Sequence, residues 1–466
     1  MADAVHRERT AEEQAQYDKL VGTPIPKLIP KLAVPTVLSM MITMLYNLAD
    51  SYFVGKLGTS ASASIGIVMA VLATYQAFGF LFGHGAGAVM SRQLGRGEQE
   101  AASKTTSTAF FATVVLGFLI SVIGLIFVTP LMRLLGSTET ILPYAVEYAR
   151  CIFLSGTFFC SSCVLNNVLR YEGRAFYAMI GLVSGSVLNI FLDPLFIFGF
   201  NMGIRGAGLA TALSQTISFL LLLSMYLRGK TISKLSVKNI DLKHKETTVR
   251  VVQNGFPSLV RQLLGMFGTT FLNIGARPYG DAAIAAMTID GRVSMFLFAF
   301  VLGIGQGYQP VAAYNHGAGR EDRVREGYWF TLISSEVVVG ILAVLAIIFA
   351  EPIVQFFRDD PEVVRIGAGA MKFFGIAAFF QPMAVCTNMM FQSIGEARIA
   401  TFLSSLRSGL YYVPLLLILP RVIGLLGIQS AVMWSDMATA LTSMPFALNF
   451  FRKLSQQEKQ QNMPTR

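Results

Sequence analysis

Charged residues are scarce in this chain, at 14% of its 466 positions, whereas hydrophobic residues make up 53%. So little charge excludes an ordinary soluble domain, and with 36 phenylalanines and 21 methionines it indicates a polytopic membrane protein. The formal net charge of +10 would suggest a nucleic-acid partner in a soluble protein. Here the basic residues follow the loops between apolar runs. The positive charge therefore reflects the distribution of loops on the two sides of a membrane, and we expect no nucleic-acid partner.

Cysteines are also few, and all four of them (Cys151, Cys160, Cys163 and Cys386) fall in apolar runs rather than in loops. A disulfide framework is therefore not expected. Cys160 and Cys163 form a C-x-x-C, but it has neither a second pair nor a βαβ context, so we interpret it as ordinary packing.

Motifs of catalysis and of nucleotide binding are missing from the sequence. It contains no Walker sequence, no H-E-x-x-H and no G-x-S-x-G. The glycine-rich stretches 83–87 and 303–307 each follow an apolar run, which favours close helix packing over phosphate binding. We expect no enzyme and no cofactor, and any transport would be driven by an ion gradient.

Apolar runs of the roughly 20 residues needed to cross a bilayer occur twelve times. They cover residues 31–53, 63–88, 106–129, 144–168, 176–199, 206–227, 252–276, 283–309, 328–350, 366–389, 399–420 and 427–451. The expected fold class is an all-α polytopic membrane protein with 12 transmembrane helices. The polar first two dozen residues lack the apolar core of a signal peptide, so we expect no cleaved signal.

Basic residues concentrate in alternate loops and thereby predict the orientation of the chain. The rich loops include Arg92, Arg96 and Lys104, then Arg170 and Arg174, the stretch 228–250, and Arg320, Arg323 and Arg325. Because basic loops stay on the cytoplasmic side, both termini are predicted to be cytoplasmic. We expect a multi-pass protein of a bacterial-type inner (plasma) membrane, acting as a monomer in the lipid bilayer.

An internal repeat divides the sequence in two. A constant shift of 222 residues superposes the pairs Pro35 and Pro257, Gly58 and Gly280, Gly97 and Gly319, Pro130 and Pro352, Asn166 and Asn388, and Gly173 and Gly395. Each half holds six spans, so two pseudo-symmetric six-helix bundles should form a parallel repeat about an axis along the membrane normal, with a cavity between them. The predicted parts are a cytoplasmic tail (1–24), a first bundle (25–228), a cytoplasmic linker (229–249), a second bundle (250–452) and a cytoplasmic tail (453–466).

Buried acids mark a candidate functional site in the first half. Asn189 and Asp193 lie one helical turn apart on one face, and Asp50 and Thr211 occupy the same outer layer of the membrane. An acid inside a membrane helix is costly unless it faces a partner or a wet cavity. The 222-residue shift places Leu272, Tyr411, Leu415 and Met433 at the four equivalent positions, so the second half lacks this chemistry.

Two kinds of ion suit this predicted cation-coupling site. Two carboxyl groups in a poorly solvated pocket cannot both ionise cheaply, which would let the pair carry a proton as one coupled unit. Carboxylate, amide and hydroxyl oxygens are equally the hard ligands of Na⁺, so a metal site for Na⁺ at the same four residues stays open. In a further reading, Asp193 beside Pro194 serves helix packing alone.

Two features of the first span complete the prediction. Pro35 removes a backbone hydrogen bond and favours a bend in the helix that carries Asp50. Met40, Met44 and Asn47 run along one face, which suits bulky lipophilic cations or ordinary core packing.

The stretch from Pro35 to Gly58, with Tyr46-Asn47-Leu48-Ala49-Asp50, resembles the first span of MATE (multidrug and toxic compound extrusion) transporters. The stretch Leu188-Asn189-Ile190-Phe191-Leu192-Asp193-Pro194, continuing to Gly206-Ala207-Gly208-Leu209-Ala210-Thr211, is similar to the same family. The likeness extends over residues 25 to 452. The seventh span has no acid and the tenth has none after Glu362, which favours the DinF/MepA-like branch over the NorM-like branch.

The resemblance implies a cation site at Asp50, Asn189, Asp193 and Thr211, a bending Pro35, and a substrate cavity that includes Tyr46, Tyr148 and Asn166. It also implies efflux of lipophilic organic cations in exchange for H⁺ or Na⁺ by alternating access. A lipid-linked oligosaccharide or lipid flippase of related architecture is the alternative, but it would need a basic cavity. In the second half Arg261, Asp290, Arg292 and Asp436 could form ion pairs or a second polar surface, and the sequence leaves both open.

Overall fold

The computed structural model describes residues 10–241 and 245–461. Residues 1–9, 242–244 and 462–466, which belong to the predicted tails and linker, lie outside this part. The helices of the described chain are α1 (Ala11–Tyr17), α2 (Ile25–Gly55), α3 (Thr59–Gly95), α4 (Gln99–Ile126), α5 (Val128–Leu134), α6 (Leu142–Tyr171), α7 (Ala175–Pro194), α8 (Gly203–Leu227), α9 (Lys245–Ala276), α10 (Asp281–Gly317), α11 (Glu321–Ile348), α12 (Ala350–Phe357), α13 (Pro361–Ala378), α14 (Gln381–Ile394), α15 (Ala397–Ser405), α16 (Tyr412–Ile423) and α17 (Leu425–Gln461). No strand is present among the described residues.

Each of the twelve predicted spans coincides with one helix or with two consecutive helices, which confirms the predicted all-α polytopic class. Within the described residues, nine spans are long and apolar enough to cross a membrane, and α13 with α14, bent by 44°, makes a tenth. The other two predicted spans lie on α9 and α17, which have 32 and 37 residues. Internal polar residues such as Arg261 and Asp436 lower the mean hydropathy of these two helices.

The internal repeat is visible in the helix boundaries. Counterpart helices start at residues 59 and 281, 99 and 321, 128 and 350, 175 and 397, and 203 and 425, always with the same separation. Gly58 and Gly280, which precede α3 and α10, have φ angles of +117° and +88°, a conformation that glycine adopts without a steric penalty. The two halves therefore share local turn chemistry as well as the positions at which their helices start.

The chain forms two compact units. Unit 1 comprises Met1–Gly22 and Val34–Leu259, and unit 2 comprises Thr23–Ala33 and Val260–Arg466. The first turns of α2 belong to unit 2, where Arg323 Nη2 donates to the Thr23 carbonyl oxygen at 2.6 Å. The first turns of α9 belong to unit 1 in the same way. The division within α2 falls two residues before Pro35, the predicted bending position.

The core of unit 1 is built mainly from aromatic and aliphatic side chains of α3 and α6, with further residues from α2, α5 and α8. Tyr75 packs edge-on against Phe153 with ring centroids 6.5 Å apart, and its hydroxyl lies 2.7 Å from Ser121 Oγ. Gly156 leaves room for that ring, because a Cβ there would lie 2.1 Å from Tyr75 Cζ. Large apolar side chains on the outer face, such as Phe118, are exposed, as a lipid-facing surface requires.

A buried carboxylate anchors the predicted linker to unit 1. Glu172, between α6 and α7, accepts hydrogen bonds from the backbone N–H groups of Ile232 and Ser233 at 3.2 and 2.9 Å, and also from the Ser233 hydroxyl. Burial raises the pKa of the Glu172 carboxyl, and the bonds from Ser233 oppose that effect. Gln16 Nε2 donates to the Glu172 carbonyl oxygen at 2.9 Å, so Glu172 binds both the predicted N-terminal tail and the linker.

Candidate functional site

The site begins at the end of α7, where the helix changes its pitch. Pro194 lacks a backbone N–H, and a π-helical turn, Leu195–Gly199, follows it. Asn189 and Asp193 precede this break and are 1% and 0% exposed. With its amide oriented to satisfy both neighbours, Asn189 Nδ2 donates to Asp193 Oδ2 at 2.9 Å, and Oδ1 accepts from the Thr211 backbone N–H at 3.3 Å. The predicted neighbours on α7 and α8 therefore do meet.

Asp50 on α2 completes an acid cluster of Asp50, Asn189, Asp193 and Thr211. The Asp50 and Asp193 carboxyl groups lie within hydrogen-bonding reach of each other. Such a bond requires a proton on one of the two acids, because an ionised carboxylate is only an acceptor. Asp50 Oδ1 has no hydrogen-bond partner within the described chain. The acid cluster thus offers two neighbouring carboxyl groups that could share a proton and one buried acceptor atom, Asp50 Oδ1, without a partner in the described chain.

Two tyrosines border the acid cluster. The Tyr148 hydroxyl lies within hydrogen-bonding reach of the Thr211 side chain, and Tyr148 is fully buried. Tyr46 lies one turn before Asp50 on α2 and is close to both acids. Tyr148 was predicted to line the substrate cavity, whereas the structure places it against the acid cluster.

A cavity of about 230 Å³ lies inside unit 1 and reaches the acid cluster at Asn189 and Thr211. Its walls come from α2, α3, α6, α7 and α8. Of the predicted cavity residues, Tyr46, Asn47 and Asn166 line it. Met40, Met44 and Tyr148 are not among its lining residues, so the role predicted for these three is not supported by this cavity.

Two glutamines of the cavity wall were not singled out from the sequence. Gln76 on α3 and Gln215 on α8 both face the cavity, and Ser155 Oγ donates to Gln215 Oε1 at 3.1 Å. Their position inside predicted apolar spans could have identified them, because a side-chain amide is costly to bury in such a span and commonly lines a wet cavity.

The donors of the acid cluster limit the ions that it can hold. It offers two carboxyl groups, one amide and one hydroxyl, which suit a proton or a sodium ion. In the chain as described, no group of three or more His, Cys, Asp or Glu side chains is placed to hold a metal ion.

Unit 2 has a different polar centre. Arg407 Nε lies 2.7 Å from Asp436 Oδ1, and Gln381 Nε2 donates to Asp436 Oδ2 at 2.9 Å. The Arg407 guanidinium also lies 4.1 Å from the centroid of the Phe298 ring. The structure therefore places Asp436 in an ion pair. Sequence reasoning missed Arg407, although a basic residue inside the predicted span 399–420 was the signal.

The other polar residues noted in the second half differ in their surroundings. Arg261 Nη1 donates to Asn388 Oδ1 at 3.3 Å, and Arg292 is exposed. Asp290 is 0% exposed.

Comparison with known proteins identifies the family. The MatE family model matches residues 35–195 and 257–418, one segment in each half of the repeat. The chain belongs to the MATE family. This confirms the resemblance seen in the two sequence stretches around Asp50 and Asp193. In this MATE chain, Asp50, Asn189 and Asp193 lie inside the first matched segment, and Thr211 lies beyond its end.

Relatives match over nearly the whole MATE chain. The multidrug export protein MepA of Staphylococcus haemolyticus is 28% identical over 424 residues, covering 90% of this chain and 92% of the relative. MepA of Staphylococcus aureus (strain MSSA476) is 26% identical over 434 residues, covering 93% and 95%. A solved outward-facing structure of a multidrug resistance MATE family transporter of the MOP superfamily has a TM-score of 0.90 at 24% identity, covering 97% and 100%. The two-bundle, twelve-helix fold is therefore the fold of this chain.

Proposed function

We propose that this chain is a secondary active multidrug efflux antiporter, which exports lipophilic organic cations in exchange for H⁺ or Na⁺ by alternating access. The MATE fold supports transport, and the similarity to the multidrug export protein MepA supports multidrug export. The observation that carries the proposal is the paired carboxyl groups of Asp50 and Asp193 beside a cavity in the same unit.

Exchange follows from competition for the same negative charge. When a proton or Na⁺ occupies the acid cluster, the carboxyl groups are neutralised and their attraction for a cation in the cavity is reduced. When the small ion leaves, the charge that remains favours a bulky cation. Aromatic and apolar wall residues such as Phe80 and Phe159 supply contact area for the apolar part of that cation.

The chemistry of the cavity wall argues against the flippase alternative. A pyrophosphate headgroup would need Lys or Arg at the site, since such groups are bound by bidentate or point-charge donors. Among the described residues that line the cavity, none is Lys or Arg. The wall carries amides and hydroxyls instead, which suits a cation beside the acids.

The membrane setting follows from the same proposal. The chain is a multi-pass membrane protein, and we infer a plasma-membrane location with cytoplasmic termini from its basic loops. Each unit buries its own core, so we expect a monomer to carry out the exchange.

Everted membrane vesicles that contain the full chain test the proposal. Ethidium transport is measured under an imposed proton gradient, an imposed sodium gradient, and neither. One of the two gradients should drive transport, and Asp193→Asn should reduce it to the rate of vesicles without the transporter at equal protein level. Glu246→Gln, at an exposed carboxylate, is the control and should not change the rate. Transport independent of both gradients contradicts antiport, and unchanged transport by Asp193→Asn contradicts the assignment of the site.

A further inference from the structure

Unit 2 contains a second fully buried aspartate, whose surroundings differ from those of Asp436. Asp290 lies on α10, nine residues after the helix starts at Asp281, which is about 13 Å along its axis. Its side chain is 0% exposed. Neither carboxyl oxygen has a hydrogen-bond partner among the residues that the structure describes.

The helix around Asp290 is apolar on both sides. Ala286 and Ile289 belong to one apolar cluster of unit 2, and Met287 belongs to a second. Val293, one turn further on, packs against the first cluster. The carboxyl group therefore lies between two dry clusters rather than in a polar pocket.

Charged groups on the neighbouring helices do not compensate for this. The elements packed against α10 carry the titratable side chains Glu336 on α11, Glu351 on α12, Lys372 on α13 and Cys386 on α14, and Tyr279 in the turn before α10 packs against both apolar clusters. No electrostatic interaction of Asp290 with any of these, or with another described titratable group, accompanies its burial. Asp436, by contrast, has the Arg407 guanidinium and the Gln381 amide as partners.

An ionised carboxylate in such a place has a large desolvation cost, which a neutral carboxylic acid avoids. The ligand that removes the charge at the smallest steric cost is a proton. The buried pair of Asp436 and Arg407 needs no proton, because the two opposite charges compensate each other.

Packing does not require an acid at this position. In the first half of the repeat, the residue 222 positions earlier is Val68, which is 0% exposed in the core of unit 1. The same helix in the same architecture thus accepts an apolar side chain. An ionised aspartate here would lower the stability of a fold that an apolar residue also satisfies.

We propose that Asp290 is a proton-binding site of unit 2, separate from the acid cluster of unit 1, which holds a proton in the conformation described here and releases it at another step of transport. This proposal rests on the proposed antiport function for its second part only. The first part, a neutral carboxylic acid at Asp290, stands on the geometry alone.

Infrared spectroscopy of the full-length protein in lipid nanodiscs at pH 7 tests the first part. The C=O stretch of protonated carboxylic acids is recorded in an Asp50→Asn/Asp193→Asn background, which removes the two carboxyl groups of the acid cluster. A band should remain. It should lose intensity on adding Asp290→Asn, keep its intensity on adding Asp436→Asn as the matched buried control, and shift with Asp290→Glu. Absence of the band, or a band that Asp290→Asn leaves unchanged, overturns the proposal.

Proton counting in liposomes tests the second part. The protons that enter per exported ethidium are measured for the wild type and for Asp290→Val, which copies the residue of the repeat and should fold. The ratio should fall in Asp290→Val, whereas an unchanged ratio overturns release during transport. Failure of the wild type to exchange ions for ethidium at all would refute the proposed function and, with it, this second part. The infrared result would still decide the first.

Discussion

The acid cluster of unit 1 and the ion pair of unit 2 compensate buried acids in different ways. In unit 1, Asp50 and Asp193 are two acids brought together, and their contact requires a proton or a small cation from outside the protein. In unit 2, Asp436 is compensated permanently by Arg407. An acid with an internal partner needs nothing from solution, whereas a pair of acids does. We propose from this difference that the acid cluster of unit 1 exchanges ions with solution, whereas the ion pair of Asp436 and Arg407 has a structural role.

What the units share makes this contrast sharper. Asn166 Nδ2 donates to the Ala178 carbonyl oxygen at 2.8 Å, and Asn388 Nδ2 donates to the Ala400 carbonyl oxygen at 2.6 Å. Both members of the second pair lie 222 residues after those of the first. The scaffold therefore repeats down to a single side-chain contact, while the acids do not. The shared scaffold therefore does not require the acids of the acid cluster.

The largest expected effect concerns the ion dependence of substrate binding. Ethidium affinity of the purified protein, measured by fluorescence at acidic and alkaline pH and with or without Na⁺, should differ by about five- to 150-fold between ion-loaded and ion-free conditions. In Asp193→Asn the affinities under the two conditions should differ by no more than about twofold, which means that most of the coupling energy is lost. Asp436→Asn should leave the ratio near the wild-type value. Equal loss in both variants would end the functional contrast between the units.

The ion pair of unit 2 should dominate the stability measurements. Arg407→Leu leaves the buried charge of Asp436 without its ionic partner, which costs about 3–5 kcal/mol. Asp436→Leu leaves Arg407, whose side chain is 22% exposed, and should cost less. The double variant removes both charges and should recover most of that loss. Thermal unfolding of the four proteins in one detergent measures the cycle. If the double variant is as unstable as the singles added together, the pair does not act as a unit.

Much of this architecture could be predicted from the sequence, because its signals are local and repeated. Span positions follow from apolar runs, and the repeat follows from one gap-free shift. Pairings between distant helices were harder. Asp50 and Asp193 could be placed at one depth and in one half, which was enough to predict that they meet. Arg407 and Asp436 could not be paired, because several charged residues lie in the second half. The depth of a residue in the membrane does not show towards which helix its side chain points. The substrate-cavity role predicted for Met40 and Met44 has the same limit, because helical spacing gives the face on which side chains lie but not the group that this face contacts.

A smaller effect is expected from the residue that holds the linker of unit 1. This residue is Glu172, and its counterpart in unit 2, 222 residues later, is Ile394. Glu172→Ala leaves the N–H groups of Ile232 and Ser233 without their acceptor, at a cost of about 1–3 kcal/mol. The linker should then detach more often, and tryptic cleavage at the exposed Lys234 and Lys238 should accelerate about tenfold or more. Glu246→Ala, at an exposed carboxylate, is the control. Equal cleavage rates in both variants would mean that Glu172 does not hold the linker.

The smallest effect tests the feature that both units share. Asn166→Ala and Asn388→Ala each remove a side-chain hydrogen bond to a backbone carbonyl, which contributes about 1 kcal/mol. Asn388 also donates to Ser404 Oγ at 2.8 Å and accepts from Arg261, so its replacement should lower the unfolding temperature more. Asn166 lines the cavity, so its replacement alone should weaken ethidium binding, by a few-fold. If Asn388→Ala weakened ethidium binding as much as Asn166→Ala, substrate recognition would no longer belong to unit 1 alone. The contrast between a substrate-binding site in unit 1 and a structural polar centre in unit 2 would then be wrong.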